Sequence, residues 1–468
     1  MSALPRRWDY EADIVVVGGG TAGLPASIAA AEMGCKVAVL EALRACGGSL
    51  NIIAGSVVFA GTDEQKAAGI DDSPELLYQD MVNVAGALPE LAQVYSDHQL
   101  EAYRILKEEG VKFPGLVPHP GHSRVRCHGW MLGEGPKLVE AFERRARRLG
   151  VEIFFNHRAR RLIKDSKTGR VVGVKVEVDG KTKYFRARRA VILTTGGFGR
   201  NRELVAEYAP HMINCIPKMP GSHRGDGHIM AMELGAATKD MGIAVAPSWP
   251  ICIETHSCAV WLVFYGAILV NKFGKRFHDE SCFEGYYGPL TGVAMKQPDG
   301  VYWVVYDRKI RETVGKEWKP LLEKHVSKCR EYRNETVEGL AKAAGIDPQG
   351  LKETVEKYNK DIDTVGYDTV FGRRYQFGPY RPVVKIDTQP LYAIKCVTST
   401  TSMKGGIRIN AKAQVLNWFN EPIPGLYAAG EVTGGLQGSK TYLLGTMTTY
   451  SMTFGLIAGR NAAKEQPS

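Results

Sequence analysis

The chain has 468 residues, of which 44% are hydrophobic, 24% are charged and 52 are glycine. This length predicts about three domain-sized units, and the composition excludes disordered, fibrous and coiled-coil proteins. Glycine is in excess, at about 11% against a usual ~7%, which indicates many tight turns and close approaches of backbone to a ligand. The net charge of +10 does not indicate nucleic-acid binding, because the densest basic run, Arg144–Arg148, continues a helical stretch and is typical of a solvated helix face.

The nine cysteines are scattered and never spaced as C-x-x-C, which disfavours a disulfide framework and a zinc site and indicates a reducing compartment. The segment Met1–Asp13 lacks the apolar core of a signal peptide. The longest apolar run, Ala259–Val270, is too short to cross a bilayer and predicts one or two buried strands. We therefore expect a cytoplasmic protein with no metal, no membrane span and no nucleic-acid partner.

The first predicted elements form a dinucleotide-binding βαβ unit. Asp13–Val17 is a β-branched strand, Leu24–Met33 an alanine-rich helix, and Lys36–Glu41 a strand that ends in an acid. Between the first strand and the helix lies a G-x-G-x-x-G motif, whose glycines allow a tight turn and let a pyrophosphate approach the helix N-terminus, while the acid can bind a ribose hydroxyl. The residues assigned to this part of the site are Gly18, Gly20, Thr21, Ala22, Gly23, Glu41 and Ala42.

Glycine motifs recur along the rest of the chain. Predicted helices cover Ser73–Glu109 and Lys137–Arg148, and Ala190–Thr195 is a strand that again runs into glycines. From about Pro247 to Thr398 glycine motifs become rare and aromatic residues frequent, which predicts an inserted domain. Glycines then return between residues 405 and 445, before a last predicted helix. A nicotinamide enzyme needs only the first motif, so the further clusters predict a longer ligand.

Together these motifs resemble the fumarate reductase and 3-ketosteroid dehydrogenase flavoprotein superfamily. The resemblance covers nearly the whole chain and implies an α/β protein, with a Rossmann-like (GR2-type) FAD-binding domain interrupted by an α+β capping domain. We expect the FAD-binding domain at residues 1–245 and 399–468, and the capping domain at residues 246–398. The matching stretches are Val17–Gly23, Gly47–Ser49, Thr194–Gly197, Gly225–Gly227, Asn271–Glu280, Lys404–Gly406 and Ala429–Gly435.

The resemblance implies FAD as cofactor, held without a covalent bond because no flavin-linking histidine motif follows Gly47–Gly48. Backbone amides at the start of the last helix would face the flavin pyrimidine oxygen, where charge accumulates on reduction. No second G-x-G-x-x-G follows a strand, so electrons must pass to or from oxygen, a quinone, an electron-transfer protein or a second substrate. The further cofactor-binding residues are Gly47, Gly48, Ser49, Ala159, Thr194, Thr195, Gly196, Asp226, Gly430, Glu431, Gly445, Thr446 and Met447.

Fumarate reductases of this superfamily hold their dicarboxylate with arginines and histidines, because each carboxylate needs a charged or hydrogen-bonding partner. At the corresponding places this chain has Ala246–Pro250, Ser281–Tyr287, Ser402 or Met403, and Tyr442, none of which supplies the expected ligand. Reduction of a C4 dicarboxylate is therefore disfavoured.

Tyr442 matches the ketosteroid dehydrogenase branch, which has a tyrosine at this place. There the tyrosine hydroxyl and the N–H of a following glycine, here Gly445, bind the substrate ketone and stabilise the enolate in the manner of an oxyanion hole. A second residue removes the α proton while hydride passes from the β carbon to flavin N5. The candidates for this base are Tyr286, Tyr287 and Glu284; a carboxylate would be the stronger base at neutral pH.

The resemblance thus implies an FAD-dependent dehydrogenase acting on a CH–CH group, which converts a cyclic ketone, steroid-like or smaller, into its enone and passes electrons to an external acceptor. The alternative left open is a reductase of an enone or 2-enoate. A flavin-binding redox sensor or carrier without turnover is a third class, which predicts no large closed pocket beside the flavin.

Overall fold

The computed structural model describes residues 4–52, 56–113, 115–119, 121–129, 135–245, 251–254, 257, 259–280, 293–317, 323, 326–376, 381–440 and 442–468. The chain divides into two compact units. Unit 1 contains Met1–Ile213, Met219–Ala244 and Ser402–Ser468, and unit 2 contains Asn214–Lys218 and Val245–Thr401. Unit 2 includes the short segment near residue 216 because Ile216–Pro217 pairs with Ser399–Thr400. The sequence-based domain bounds do not assign that segment to it, and they stay predictions.

The strands in chain order are β1 Tyr10–Val17, β2 Val37–Leu40, β3 Leu116–Val117, β4 Cys127–His128, β5 Glu152–Phe154, β6 Arg158–Lys164, β7 Val171–Val178, β8 Lys181–Leu193, β9 Ile216–Pro217, β10 Thr238–Lys239, β11 Ala244–Val245, β12 Ile251–Cys252, β13 Ile268–Val270, β14 Val301–Asp307, β15 Glu331–Asn334, β16 Leu391–Val397, β17 Ser399–Thr400, β18 Ser402–Met403, β19 Gly406–Ile407, β20 Gln414–Leu416 and β21 Pro422–Ala428.

The helices are α1 Gly23–Glu32, α2 Asp63–Ala67, α3 Pro74–Gln79, α4 Pro89–Glu108, α5 Gly135–Arg148, α6 Arg202–Tyr208, α7 Asp226–Glu233, α8 Val260–Phe264, α9 Arg308–Glu317, α10 Val337–Ala344, α11 Pro348–Val365 and α12 Thr446–Ala463. Short 3-10 segments lie at Gly48–Asn51, Pro210–Met212, Pro298–Gly300 and Val326–Lys328, and Asp80–Ala85 is π-helical.

An eight-stranded mixed sheet forms the core of unit 1. Its order is β20–β21–β8–β1–β2–β5, with β7 beside β8 and β6 beside β7. β1 runs parallel to β2 and β8, and β21 runs parallel to β8, whereas β6, β7 and β8 form an antiparallel meander. The residues of β1 from Ala12 to Val17 are buried, as a parallel strand covered on both faces requires. This confirms the predicted Rossmann-like α/β class.

The last helix of unit 1, α12, packs closely against α1. A Cβ on Gly455 would lie 2.3 Å from the Ala22 oxygen, and one on Gly459 would lie 2.2 Å from the Ala26 oxygen. Only glycine allows the two helix backbones to approach this closely. The packing holds the C-terminal helix beside the helix that follows the first glycine motif.

Two predicted elements differ from the structure. Residues 73–109 do not form one helix, because α3 passes into the π-helical segment, Gly86 takes a left-handed conformation with φ 75°, and α4 begins at Pro89. The apolar run Ala259–Val270, predicted as one or two strands, contains helix α8 and strand β13. A run that is apolar on all sides has no periodicity that distinguishes a helix from a strand.

The basic run Arg144–Arg148 lies in the last turns of α5 and is ion-paired. Arg144 bonds to Glu109 at 3.1 Å, and Arg145 bonds to Glu32 and Glu108 at 2.7 Å each. Three of the four arginine side chains are at least half exposed. The run is therefore a solvated helix face whose charge is largely balanced by acids, as predicted.

Unit 2 is built on a five-stranded sheet with the order β12–β16–β14–β13 and with β15 beside β16, all antiparallel. Helices α9, α10 and α11 accompany it, so the unit is α+β, as predicted. Within the described ranges, no helix has the length and apolarity that a membrane span requires. Among those same residues, no group of three or more histidine, cysteine, aspartate or glutamate side chains could hold a metal.

Candidate functional site

Glycines shape the turn that follows β1. A Cβ on Gly18, whose φ is 109°, would lie 2.4 Å from the backbone oxygen of Thr194, and a Cβ on Gly23 would lie 1.8 Å from the backbone oxygen of Gly18. Both positions therefore require glycine. Gly20 differs, because a Cβ there would meet no atom within 4 Å. The turn closes on itself and leaves the backbone of Gly20 open beside Thr21, Ala22 and the start of α1, where N–H groups favour an anion.

A second glycine loop faces this turn. Gly47 and Gly48 take φ values of 119° and 53°, and the Gly47 N–H donates to the Gly19 oxygen at 2.9 Å. A Cβ on Gly48 would meet only the Gly20 Cα, at 3.8 Å. Gly20 and Gly48 thus lie side by side and line an open cradle, whose space a Cβ on Gly20 would enter. A diphosphate, which is bound through backbone N–H groups, suits such a cradle.

Glu41 ties the first glycine turn to the end of β2. Its carboxylate is buried and accepts hydrogen bonds from the N–H groups of Gly19 and Leu43, each at 2.8 Å. Burial raises the pKa of this carboxyl, and the backbone N–H groups of Leu43, Gly19 and Ala42 oppose the rise. A carboxylate has about four acceptor positions, so at least one remains for the predicted bond to a ribose hydroxyl.

The start of β6 links the Glu41 backbone to Asp226. The His157 N–H donates to the backbone carbonyl oxygen of Glu41 at 2.9 Å, which places the start of β6 beside Glu41 and Ala42. Ala159, in β6, is buried. Its neighbour Arg158 forms an ion pair of 2.6 Å with Asp226, the first residue of α7.

The loop after β8 closes the first glycine turn from the other side. The Thr194 hydroxyl donates to the Val17 oxygen at 3.0 Å and to the Gly18 oxygen at 2.8 Å. Thr195 is different: within the part of the chain that the structure describes, its buried hydroxyl has no hydrogen-bond partner. A buried hydroxyl without a partner at this loop fits a polar ligand, because burial without a hydrogen bond is costly.

A line of three polar side chains connects separate segments of the site. His223 Nε2 lies 3.4 Å from the Ser49 hydroxyl, and its Nδ1 lies 3.4 Å from a carboxylate oxygen of Glu431. The other Glu431 oxygen accepts from the Met403 N–H at 3.2 Å. A Cβ on Gly196, with φ 74°, would lie 2.5 Å from His223 Nε2, so glycine is required there. Sequence reasoning predicted Ser49, Gly196 and Glu431 but missed His223, whose only signal is its place two residues before the Gly225–Gly227 motif.

The segment that leads into α12 gathers the residues predicted to bind substrate. Tyr442 is buried, and its hydroxyl lies within hydrogen-bonding reach of the Gly445 and Met447 N–H groups. Burial raises the pKa of Tyr442 well above its usual range, and the two N–H groups oppose the rise. Gly445 takes φ 90° at the N-cap of α12. The donors assigned from sequence to substrate and flavin thus lie together, and two of them face the tyrosine oxygen.

Several other features surround these groups. Gly430 has φ 83°, and a Cβ there would lie 3.0 Å from the Ala22 Cβ, so the strand end after β21 approaches the first glycine turn. The buried Thr446 hydroxyl donates to the Leu443 oxygen at 2.6 Å. His122, which sequence reasoning also missed, places Nε2 3.0 Å from the Leu444 oxygen. The predicted bases Tyr286, Tyr287 and Glu284 lie outside the described residues.

The comparisons with known proteins agree with this geometry. A family described as FAD binding domain matches residues 13–442. The chain belongs to this family. It is an FAD-dependent oxidoreductase of the fumarate reductase and ketosteroid dehydrogenase superfamily, and FAD is its cofactor. The open cradle beside Gly20 and Gly48 fits the diphosphate of that dinucleotide. The Thr195 hydroxyl, which has no hydrogen-bond partner among the described residues, fits its polar groups.

Among the relatives, fumarate reductase (cytochrome) of Shewanella frigidimarina is 33% identical over 460 residues, covering 97% of this chain and 77% of the relative. Urocanate reductase of Eggerthella lenta is 32% identical over 489 residues, covering 98% and 76%. The crystal structure of 3-ketosteroid-Δ4-(5α)-dehydrogenase of Rhodococcus jostii, in complex with 4-androstene-3,17-dione, is 31% identical with a TM-score of 0.81, covering 98% of each chain. The predicted superfamily, fold class and cofactor are confirmed, and the individual site residues stay predictions.

Proposed function

We propose that this flavoenzyme, with FAD held noncovalently, desaturates a cyclic ketone, steroid-like or smaller, between its α and β carbons. The observation that carries the proposal is the position of Tyr442, buried at the start of α12 with its oxygen at the N–H groups of Gly445 and Met447. An oxyanion-type site needs a fixed neutral donor where negative charge develops on the ketone oxygen. Burial keeps Tyr442 protonated at physiological pH, which suits it to donate and not to act as the base.

The resemblance implies that the Gly445 N–H binds the ketone and the Met447 N–H faces the flavin; in this proposal both act instead through the tyrosine. Each N–H that donates to the Tyr442 oxygen draws electron density from its O–H, which makes the hydroxyl a stronger donor to the substrate ketone. The bound FAD supplies a hydride acceptor for the β carbon. The α proton goes to Tyr286, Tyr287 or Glu284, and the electrons then leave to oxygen, a quinone or an electron-transfer protein.

A second candidate is reduction of an enone or of a 2-enoate other than a C4 dicarboxylate. The reductases among the relatives favour this direction, and the same donor would stabilise the same enolate. The dehydrogenase structure, which matches this chain over 98% of each, favours the first candidate. The residues that stand where fumarate reductases are expected to hold their dicarboxylate, among them Ser402, Met403 and Tyr442, carry no positive charge.

Anaerobic titration of the holoenzyme with saturated steroid and monocyclic ketones tests the proposal. We expect at least one saturated ketone to bleach the oxidised flavin, and Tyr442→Phe to slow this bleaching by about 100-fold, as loss of one oxyanion donor does. The control is reduction by dithionite, which should be equally complete in both proteins. If reduced enzyme is reoxidised by enones while no saturated ketone bleaches the flavin, the enzyme is the reductase. Bleaching of the Phe variant at the wild-type rate would remove Tyr442 from the mechanism.

A further inference from the structure

The loop that contains His122 packs against the segment that contains Tyr442. Gly121 has φ 84°, and a Cβ there would lie 2.7 Å from a methyl carbon of Leu443. Only glycine therefore permits this contact between the loop and the segment. His122 follows directly, is buried, and places its Nε2 3.0 Å from the Leu444 carbonyl oxygen.

The bond determines which nitrogen of His122 carries the proton. A carbonyl oxygen only accepts, so Nε2 must be the donor. Burial, with Arg126 nearby, lowers the pKa of His122 to about 3, while the Leu444 carbonyl and Asp72 act in the opposite direction; the neighbouring His119 is also buried. The imidazole is therefore neutral at physiological pH, with its proton on Nε2, and Nδ1 has no partner among the described residues.

The Leu444 carbonyl and the Gly445 N–H belong to one planar peptide unit and point in opposite directions. A donor that binds the carbonyl therefore fixes the direction of the N–H, and it also polarises the unit so that the N–H donates more strongly. That N–H lies at the Tyr442 oxygen. The hydrogen bond from His122 therefore acts on the peptide whose N–H faces the Tyr442 oxygen.

We infer that His122 is a positioning residue, which orients and polarises the Leu444–Gly445 peptide and thereby sets the strength of Tyr442 as a hydrogen-bond donor to substrate. His122 lies 322 positions from Leu444 in the chain. The effect of His122 on substrate binding rests on the proposed function. Glutamine can replace the Nε2–H donor at a similar reach from the backbone, whereas alanine cannot.

The first experiment observes the peptide itself, without substrate. Deuterated holoenzyme labelled with carbonyl-13C leucine and 15N glycine shows only Leu–Gly peptides in an HNCO spectrum, namely Leu132–Gly133, Leu149–Gly150, Leu234–Gly235 and Leu444–Gly445. Leu444→Val identifies the last signal by removing it. We expect His122→Ala to move that carbonyl and amide proton upfield, because the carbonyl loses its donor and the peptide N–H becomes less polarised, and His122→Gln to restore most of the shift.

The matched control is His128→Gln. His128 is also buried, and its Nδ1 lies 2.9 Å from a backbone carbonyl, that of Arg126, while its Nε2 lies 2.8 Å from the Thr62 hydroxyl; among the described residues no hydrogen bond joins it to residues 442–447. This variant should leave the Leu444–Gly445 signal in place. An unchanged signal in His122→Ala, or an equal shift in His128→Gln, would overturn the inference whatever reaction the enzyme catalyses.

The second experiment measures donor strength with 4-nitrophenol, whose phenolate oxygen imitates the enolate. We expect His122→Ala to weaken phenolate binding by about 10-fold, the effect of one modest hydrogen bond, and His122→Gln to bind as the wild type does. A shifted peptide signal with unchanged phenolate affinity in the alanine variant would refute the positioning role. If wild type and Tyr442→Phe bind phenolate equally, the proposed function fails, and the peptide signal still decides whether His122 orients the peptide.

Discussion

The glycine turn Gly18–Gly23 and the segment Asn271–Glu280 both carry the superfamily resemblance, yet the first depends on close-packed glycines and the second on buried charges. In the glycine turn, contacts of 1.8 to 2.4 Å between a notional Cβ and backbone oxygens exclude any side chain, while Gly20 stays open. In the second segment, Arg276 and Glu280 form a buried ion pair, and Arg276 also bonds to Asp368 at 2.7 Å.

The charged segment forms part of the interior of unit 2. Glu280 is fully buried and accepts from the Leu269 N–H at 2.9 Å and from Arg373 at 3.4 Å. The Arg276 guanidinium lies over the rings of Tyr358 and Phe371, at 5.0 and 5.1 Å from their centroids. A family motif can therefore mark either a ligand cradle, as at Gly20, or a structural anchor, as in the buried ion pair of Arg276 and Glu280. Substitutions can separate the two roles.

The largest expected effect is on the anchor. Glu280→Gln leaves two buried guanidinium groups with one less counter-charge, and breaking a buried pair typically costs about 3 kcal/mol or more. We expect unit 2 to lose about 3 kcal/mol of stability, measured as faster amide hydrogen exchange in peptides from β13 and β14, while the affinity for FAD stays unchanged.

Glu353→Gln is the matched control, because Glu353 pairs with Lys275 of the same segment at 2.6 Å but both side chains are half exposed. An exposed pair contributes about 0 to 1 kcal/mol, so exchange should change little. Equal effects of the two substitutions, or loss of FAD in Glu280→Gln, would contradict the assignment of this segment as an anchor.

The motif Lys404–Gly406 shares features with both segments, because it combines two close-packed glycines with one buried charge. Burial lowers the pKa of this lysine to about 8, while Asp240 acts in the opposite direction, and the amine donates to the Gly438 oxygen at 3.2 Å. From pH 8 to 10.5 the folded protein has released this proton and the unfolded chain still holds it. Stability should therefore rise with pH in this window, by at most about 3 kcal/mol.

The measurement is the urea-unfolding free energy at several pH values, in wild type and Lys404→Met. Other groups also titrate here, so the difference between the two proteins carries the information. We expect the wild type to gain stability relative to the methionine variant as the pH rises from 8 to 10.5. Parallel pH profiles would show that Lys404 stays protonated in the folded state.

The same contrast explains what could be predicted from the sequence. The turn at Gly18–Gly23 and the acid Glu41 lie within one βαβ unit, so spacing along the chain reports directly on their geometry. His122 and Leu444 are 322 residues apart, and Ser49 and His223 are 174 apart. No local pattern records such pairings, because the whole fold creates them.

The secondary-structure errors have a related cause. Helix α8 lies in a run that is apolar throughout, and nothing in it shows which period its burial follows. The break between α3 and α4 depends on Gly86, whose notional Cβ would lie 2.9 Å from the Lys440 side chain, far along the chain. An interior glycine in an otherwise helical pattern predicts a break only when the contact that requires it is known.

Gly20→Val should have the smallest effect on the stability of the folded protein, and it tests the ligand cradle directly. A Cβ at Gly20 meets no protein atom within 4 Å, so the variant should fold and should unfold at the wild-type temperature when FAD has been removed. With FAD present we expect affinity to fall by about 100-fold, because the side chain enters the space where the backbone receives the diphosphate.

Gly221→Val is the matched control for this test, since a Cβ there also meets nothing within 4 Å and its φ is not positive. Fluorescence titration of each apoprotein with FAD gives the two affinities, and thermal unfolding of the same samples gives their stability. Wild-type affinity in Gly20→Val would place the diphosphate elsewhere. A lowered unfolding temperature without FAD would mean that Gly20 serves the fold, as Gly18 and Gly23 do, and that the open backbone at this position is not a ligand cradle.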